Sequence, residues 1–308
     1  MKQRAEPSAG PPQAGSHPLG GSGAVPCDRG VHKFSQVDVF TAEPLLGNPL
    51  AVVHDAEGLS DAQMQAFARW TNLSETSFLL PATDEGADYR VRIFTPGGEL
   101  PFAGHPTIGS CHAWLAAGGQ AKREGIVVQQ CAVGLVPLKR DGARLAFAAP
   151  RLKRDPVDDA LLGQVVDALG LAPTDLLAAC WLDNGPRWLT LRVASATRLR
   201  ALKPDHGRLK ALAKIGLVAA QDEAGAADTQ FELRAFAASI GIEEDPVTGS
   251  MNAGVAQWLI GEGLAPKRYV AAQGTAMGRA GRVHVEHEGD TLWIGGDVAP
   301  CIQGLVSL

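Results

Sequence analysis

Pro101-Phe-Ala-Gly-His-Pro-Thr-Ile-Gly-Ser-Cys-His-Ala-Trp-Leu115 and Asp245-Pro-Val-Thr-Gly-Ser-Met-Asn-Ala-Gly-Val-Ala-Gln-Trp-Leu259 follow one pattern. Each runs from a Pro/Gly-rich turn into a helix-competent stretch that ends in Trp-Leu. The two Trp-Leu pairs stand 144 positions apart. A turn-to-helix unit built twice implies an internal duplication with a cleft shared by the halves. Two ordinary helix starts that match by chance are the plainer alternative. The unit has a chemical use, because a helix start leaves its first N–H groups free and carries partial positive charge. Two facing units would grip a carboxylate between them.

Outward from these segments, 308 residues predict about two domains. A 45% hydrophobic content supplies a large core. The net charge of −5, with no long basic run, argues against a nucleic-acid partner. No apolar run reaches membrane-spanning length, so no membrane partner is expected. Five scattered cysteines, Cys27, Cys111, Cys131, Cys180 and Cys301, form no CxxC. That disfavours a disulfide scaffold or a zinc ribbon and predicts a reducing, cytoplasmic location. Residues 1–30 are rich in Gly, Pro, Ala and Ser and hold too little apolar surface to order themselves. They also lack the apolar stretch of a secretory signal. A disordered tail is expected there.

Order is expected from near Lys33. Strands are predicted at Gln36–Phe40, Leu50–Val53, Glu75–Leu80, Tyr89–Phe94, Gly125–Val128, Gly134–Leu138, Leu145–Ala148, Trp188–Val193 and Phe231–Phe236. A final hairpin is predicted from Val283–Glu286 and Thr291–Ile294 around Gly289-Asp290. Ser60 caps one predicted helix, Asp158–Leu169 forms another ended by Gly170, and Leu209–Leu212 lies in a third. Strands outnumber helices, and each turn unit leads into one buried helix. No GxGxxG follows a strand and no GxxxxGK[ST] is present, so a Rossmann fold fits poorly.

Three residues could carry chemistry. Glu75 starts a predicted strand among small hydroxyl residues with no basic neighbour. Partial desolvation there would raise its pKa into the range useful for proton transfer, although an exposed junction glutamate is the commoner case. His105 follows a glycine that lets a ligand approach the backbone; it either meets such a ligand or satisfies a turn carbonyl. Asp245 precedes a proline at a helix entrance, where the helix dipole is expected to lower its pKa and suit it to orienting a substrate. His284 and His287 flank Glu286 in a polar hairpin and read as surface rather than as metal ligands. Cys111 and His112 are adjacent on a helix and point apart, so they form no nucleophile pair.

Several separated motifs resemble the PhzF-like phenazine-biosynthesis isomerases of the diaminopimelate-epimerase-like superfamily. They are Val37-Asp-Val-Phe-Thr41, Gly47-Asn-Pro-Leu-Ala-Val-Val53, Leu73-Ser-Glu-Thr76, Gly98-Glu-Leu-Pro-Phe-Ala-Gly-His-Pro-Thr107 and Gly241-Ile-Glu-Glu-Asp-Pro-Val-Thr-Gly-Ser250, with Gln273-Gly274 and Gly278-Arg279. The resemblance covers residues 33–308. It implies an α/β (α+β) fold of two pseudo-symmetric domains, each a curled mixed sheet around a central helix. Their expected bounds are 31–130 plus 296–308, and 131–295. It further implies a homodimer, no cofactor, no metal, and a small carboxylate-bearing substrate in the cleft. The phenazine enzyme of the family moves a proton within the ring of trans-2,3-dihydro-3-hydroxyanthranilate. By resemblance Glu75 is the general acid/base, His105 and Asp245 are its partners, and Asn48, Gly104, Thr107, Gly249 and Ser250 line the pocket. Met251-Asn252 replace the small residues expected next, which would alter the pocket's size.

Sister racemases place a cysteine at each turn unit. Here Ala103-Gly104 and Asp245-Pro-Val stand instead, which disfavours two-thiol chemistry. The expected activity is a cofactor-independent isomerisation. An amino-acid racemase or epimerase using carboxylate bases, or a non-catalytic member binding a metabolite or protein, are the alternatives. Deleting residues 1–30 should leave the melting temperature nearly unchanged in a thermal scan; a drop of many degrees would show that the tail docks on the body.

Overall fold

In a computed structural model the described residues are 30–222 and 227–308; the tail expected over 1–30 lies outside them except for Gly30, as does Cys27. The first half runs β1 (Val31–Val39), β2 (Asn48–Val53), α1 (Asp61–Thr71), β3 (Thr76–Leu80), β4 (Tyr89–Thr95), β5 (Gly98–Leu100), α2 (Gly104–Ala116), β6 (Ile126–Cys131), β7 (Gly134–Asp141) and β8 (Arg144–Ala148). The second runs β9 (Lys153–Asp155), α3 (Asp159–Leu169), β10 (Leu176–Asp183), β11 (Arg187–Val193), α4 (Ala196–Ala201), α5 (His206–Lys210), β12 (Ile215–Ala220), β13 (Phe231–Ala237), β14 (Ile242–Asp245), α6 (Gly249–Gly261), β15 (Arg268–Gln273), β16 (Gly281–Glu288), β17 (Thr291–Gly296) and β18 (Val298–Ser307). No helix among the described residues is long and apolar enough to cross a membrane.

Strand pairing bears out the duplication. In the first half β1–β2 is antiparallel, β2–β3 parallel, β3–β4 antiparallel, β4–β6 parallel, and β6–β7 and β7–β8 antiparallel. The second half repeats that series as β10–β11, β11–β12, β12–β13, β13–β15, β15–β16 and β16–β17. β5 and β14 are matching antiparallel branches off β4 and β13, each leading into a central helix. The strand after each series crosses over: β9 pairs with β10, and β18 pairs with β1. The two series meet through the antiparallel pair β8–β17.

The helices follow local chemistry. Ser60 accepts from the Gln63 N–H while Gln63 reaches back, a reciprocal cap for α1. Asp158 caps α3, and Gly170 closes it in a left-handed conformation. α2 and α6 are apolar nearly all round, because the curled sheets enclose them rather than cover one face. They begin 145 positions apart while their Trp-Leu pairs are 144 apart. One residue turns a side chain about 100° around a helix. Trp114 accordingly stacks on Tyr89 at 5.2 Å, whereas Trp258 lies buried beneath Arg154.

The structure corrects several expectations. α5 ends at Lys210, so Leu212 lies beyond it. β1 and β13 do not alternate between core and solvent: Asp38, Glu232 and Arg234 are buried with their apolar neighbours. Arg234 satisfies itself there with Glu244 and the carbonyls of Leu199 and Leu202. Phe40 leaves β1 altogether with φ +66°. The final hairpin is followed by β18, whose Pro300 and Gly304 hide a strand; the ladder bulges at this point, between Gln36 and Val37.

Two glycines show where packing is tight and where it is loose. A Cβ on Gly109 of α2 would lie 2.6 Å from Leu50 Cδ2 and 2.9 Å from Val39 Cγ2, while one on exposed Gly163 of α3 meets nothing. Gly109→Ala should destabilise by about 1–3 kcal/mol through overpacking. Gly163→Ala should stabilise by about 1 kcal/mol through helix propensity. Denaturant titration of both variants checks the pair.

Candidate active site

Four of the sequence-predicted residues converge. Glu75 is the last loop residue before β3 rather than part of it. His105 is the second residue of α2, Asp245 ends β14, and Asn48 opens β2. Asn48 is delivered by a loop that only glycine permits: a Cβ on Gly47 would lie 2.2 Å from the Val39 carbonyl. The Gly47 N–H donates to buried Asp38, and Arg279 from the second half donates to the carbonyls of Leu45 and Gly47.

Glu75 Oε2 and His105 Nε2 face each other at 3.6 Å, and neither has a hydrogen-bond partner. Both side chains are sheltered, His105 almost completely. The Pro49 carbonyl also acts on the His105 ring and favours a proton on the nitrogen away from Glu75. A carbonyl only accepts, so Nδ1 carries the proton in the neutral ring and Nε2 offers a lone pair. Burial pushes the imidazole down to about 4, partly offset by Asp245, which keeps it neutral near pH 7.

Asp245 is differently placed. Its Oδ1 accepts from Asn48 Nδ2 at 2.9 Å and its Oδ2 from Thr248 Oγ1 at 2.6 Å. The directions of both bonds are fixed. Asn48 Nδ2 also donates to the Val247 carbonyl, which orients that amide. Gln273 Oε1 accepts from the Thr248 N–H and from Asn252 Nδ2, so its Nε2 is the donor to Thr248 Oγ1 and to the Asp245 carbonyl. With one lone pair used, the Thr248 hydroxyl sends its own hydrogen to Asp245. The aspartate is thus bound as an acceptor on both oxygens.

Burial pushes Glu75 up to about 7, against the opposing effects of the nearby Ser74 hydroxyl and the Lys214 charge. Burial, then the Glu75 charge, pushes Asp245 up to about 6, although His105, Thr248 and Asn48 oppose this. The expectation that a helix start would lower the aspartate's pKa is therefore wrong: the residue sits three positions before the Thr248 cap, and desolvation outweighs the dipole. Two donors on Asp245 favour its ionised form, while an unpartnered oxygen on Glu75 leaves that carboxyl the weaker acid of the two.

The helix starts meet at this cluster. A Cβ on Gly249 would lie 3.3 Å from the Gly104 Cα. α2 and α6 lack any side-chain cap and any acidic residue in the first turn, whereas α1, α3, α4 and α5 are capped by Ser60, Asp158, Ser195 and Asp205. The backbone of Gly104, His105, Gly249 and Ser250 is thus available to an anion. Thr107 and the Ser250 side chain turn elsewhere: Thr107 accepts from Gln129, and Ser250 Oγ accepts from Trp188 Nε1. Met251 packs against Gly216 and Asn252 bonds Gln273, so neither narrows the cleft. Cys111 lies inside α2, and burial pushes its thiol up to about 12, which leaves it unreactive. Sequence reading missed Thr248 as a ligand of Asp245, and Gln273 as its orienter although Gln273-Gly274 was among the matching motifs.

A curled-sheet pair holding two carboxyl groups and an imidazole between facing helix starts defines an isomerase of the epimerase-like class. The sequence profile PhzC-PhzF, phenazine biosynthesis-like protein, matches residues 37–302, and the chain belongs to that family. It is 36% identical over 292 residues to antisense-enhancing sequence 1 of Schizosaccharomyces pombe, covering 89% of this chain and 98% of that protein. It is 33% identical over 264 residues to trans-2,3-dihydro-3-hydroxyanthranilate isomerase of Pseudomonas aeruginosa, covering 84% and 91%. The crystal structure of a Bacillus anthracis PhzF-family protein shares the fold with a TM-score of 0.79 at 23% identity, covering 90% and 99%.

A folded-state pKa raised above the unfolded value gives stability that is full at low pH and lost as pH rises. For Glu75 the window runs from the ordinary 4.5 to about 7. Glu75→Gln should therefore gain on the parent protein by several degrees in melting temperature between pH 5 and pH 8. A difference flat across that range would show that Glu75 titrates near its ordinary value.

Proposed function

We propose that the protein isomerises a small carboxylate-bearing molecule by moving a proton, with Glu75 as the general acid/base. The observation that carries this reading is the facing, unpartnered pair Glu75 Oε2 and His105 Nε2, buried beside two uncapped helix starts. A substrate carboxylate takes the free N–H groups of those starts, with no counter-charge from the protein. Ionised Glu75 removes a proton from one carbon and returns it to another. His105 accepts a hydrogen bond through Nε2 and fixes the substrate's polar substituent. Asp245, held ionised by Asn48 and Thr248, keeps negative charge beside Glu75 and so keeps the glutamate basic. A two-base racemisation would need Asp245 to take up the second proton, which its two fixed donors oppose. The trans-2,3-dihydro-3-hydroxyanthranilate of the Pseudomonas relative, a monocarboxylate, is the reference substrate against which others are compared.

The base must be ionised before it can act, so kcat/KM should rise with pH through about 7. Glu75→Gln keeps the shape and removes the titration; it should fold, bind, and lose roughly a hundredfold or more in turnover. Deuterium uptake from solvent into product, measured for Glu75→Gln beside Asp245→Asn, is the decisive comparison. Normal exchange in the Glu75 variant with none in the Asp245 variant would reverse the roles.

A further inference from the structure

Among the described lysines, Lys214 alone is both half-buried and without an ion-pair partner; Lys139, similarly placed, pairs with Glu286 and Glu288. It directly precedes β12, the parallel neighbour of β11. The Leu189 N–H donates to its carbonyl at 2.9 Å, which locks it beside Trp188. Its Nζ lies 5.8 Å from the centre of the Trp188 ring. That ring is buried, and its Nε1 donates to Ser250 Oγ at 3.2 Å, in the first turn of α6. Asn184, from the turn between β10 and β11, donates to the Ser250 carbonyl, while its own Oδ1 is buried with no partner. The second half thus builds a wall of Asn184, Trp188 and Lys214 against the same helix start that the carboxylate uses.

A sheltered ammonium without a counter-ion is costly. The cleft's own carboxyl groups do not supply one. Neither forms an ion pair with Lys214: Glu75 faces His105, and Asp245 is engaged by Asn48 and Thr248. The Lys214 charge nevertheless acts on Glu75, and Trp188 ties the lysine to the Ser250 turn at the start of α6.

We propose that Lys214, seated on Trp188, forms a second anion subsite, and that the substrate carries an acidic group in addition to the carboxylate at the helix starts. This rests on the functional reading above and narrows its substrate class to dianionic molecules. The subsite selects among substrates and takes no part in the proton transfer.

Benzoate and isophthalate, one ring with one or two carboxylates, are suitable probes for calorimetric titration of the full chain. The parent protein should bind isophthalate about tenfold more tightly than benzoate. Lys214→Met should reduce that ratio to within about twofold while leaving benzoate affinity in place, which also reports that the variant is folded. Lys214→Arg should retain the preference. Equal affinities in the parent protein, a preference that survives in Lys214→Met, or a parallel loss of both probes in that variant would each overturn the subsite while the helix-start carboxylate site stands. Failure of both probes to bind the parent protein would overturn that carboxylate site, and the subsite with it.

Discussion

Two helix starts pressed together at Gly104 and Gly249 constrain everything else in the molecule. Each carries roughly half a positive charge and several unpaired N–H groups. Bringing two such ends into contact is unfavourable unless the surroundings compel it and an anion reduces the cost. The surroundings are two curled sheets that enclose the helices on nearly every side. Glycine at both contact positions eases the approach: a Cβ on either would press on the other's Cα at 3.3 Å, and one on Gly104 would also meet the Phe147 ring at 2.8 Å. The sheets therefore hold, sheltered from solvent, a positive point that an anion would neutralise.

The crossed strands explain how that junction stays closed. β18 leaves the second series to pair with β1, and β9 leaves the first to pair with β10. The β8–β17 ladder joins the series at a third place. Further bonds stitch the loop before Asn48 to the second half: Ala280 N–H donates to the Leu46 carbonyl, and Arg282 N–H to that of Phe40. Asn48 can then donate to Asp245 across 197 positions of sequence. A hydrogen bond of 2.9 Å between two halves survives only where their backbones are fixed to a fraction of an ångström, and these ladders supply that fixing.

Much of this was legible in the sequence where a residue's role is local. Ser60, Asp158 and Gly170 marked helix ends because capping is decided within a few residues. The twin turn units marked the central helices because Pro and Gly constrain their own backbone. Other features depended on distant partners. β12 and β15 are alanine-containing runs buried along most of their length, and β10 is an apolar run buried only in part; none shows an alternation to separate strand from helix. Buried Glu232 and Arg234 imitate a solvent face until α4 and β14 supply their partners. The Asp245 carboxyl misled for the same reason: the nearby helix start is visible in sequence, while Glu75, 170 positions away, and the protein that excludes water are not.

The two halves share a topology but divide the chemistry unequally. The first contributes Glu75 with one free oxygen and His105 with one free nitrogen. The second contributes Asp245 wrapped in donors whose directions are set by Thr248 and Gln273. A duplication left symmetric would place equivalent groups on both sides of a bound substrate, as two-base racemisation requires. Here the Gln273 amide, through the Thr248 hydroxyl, favours the ionised form of Asp245, while Glu75 keeps an oxygen without a partner. On the proposed reading, with Glu75 alone free to gain and lose a proton, transfer between two carbons would follow from the hydrogen-bond directions rather than from any difference in the acids themselves. The symmetry of the fold brings the two helix starts together, and its local breaking gives the two carboxyl groups different surroundings.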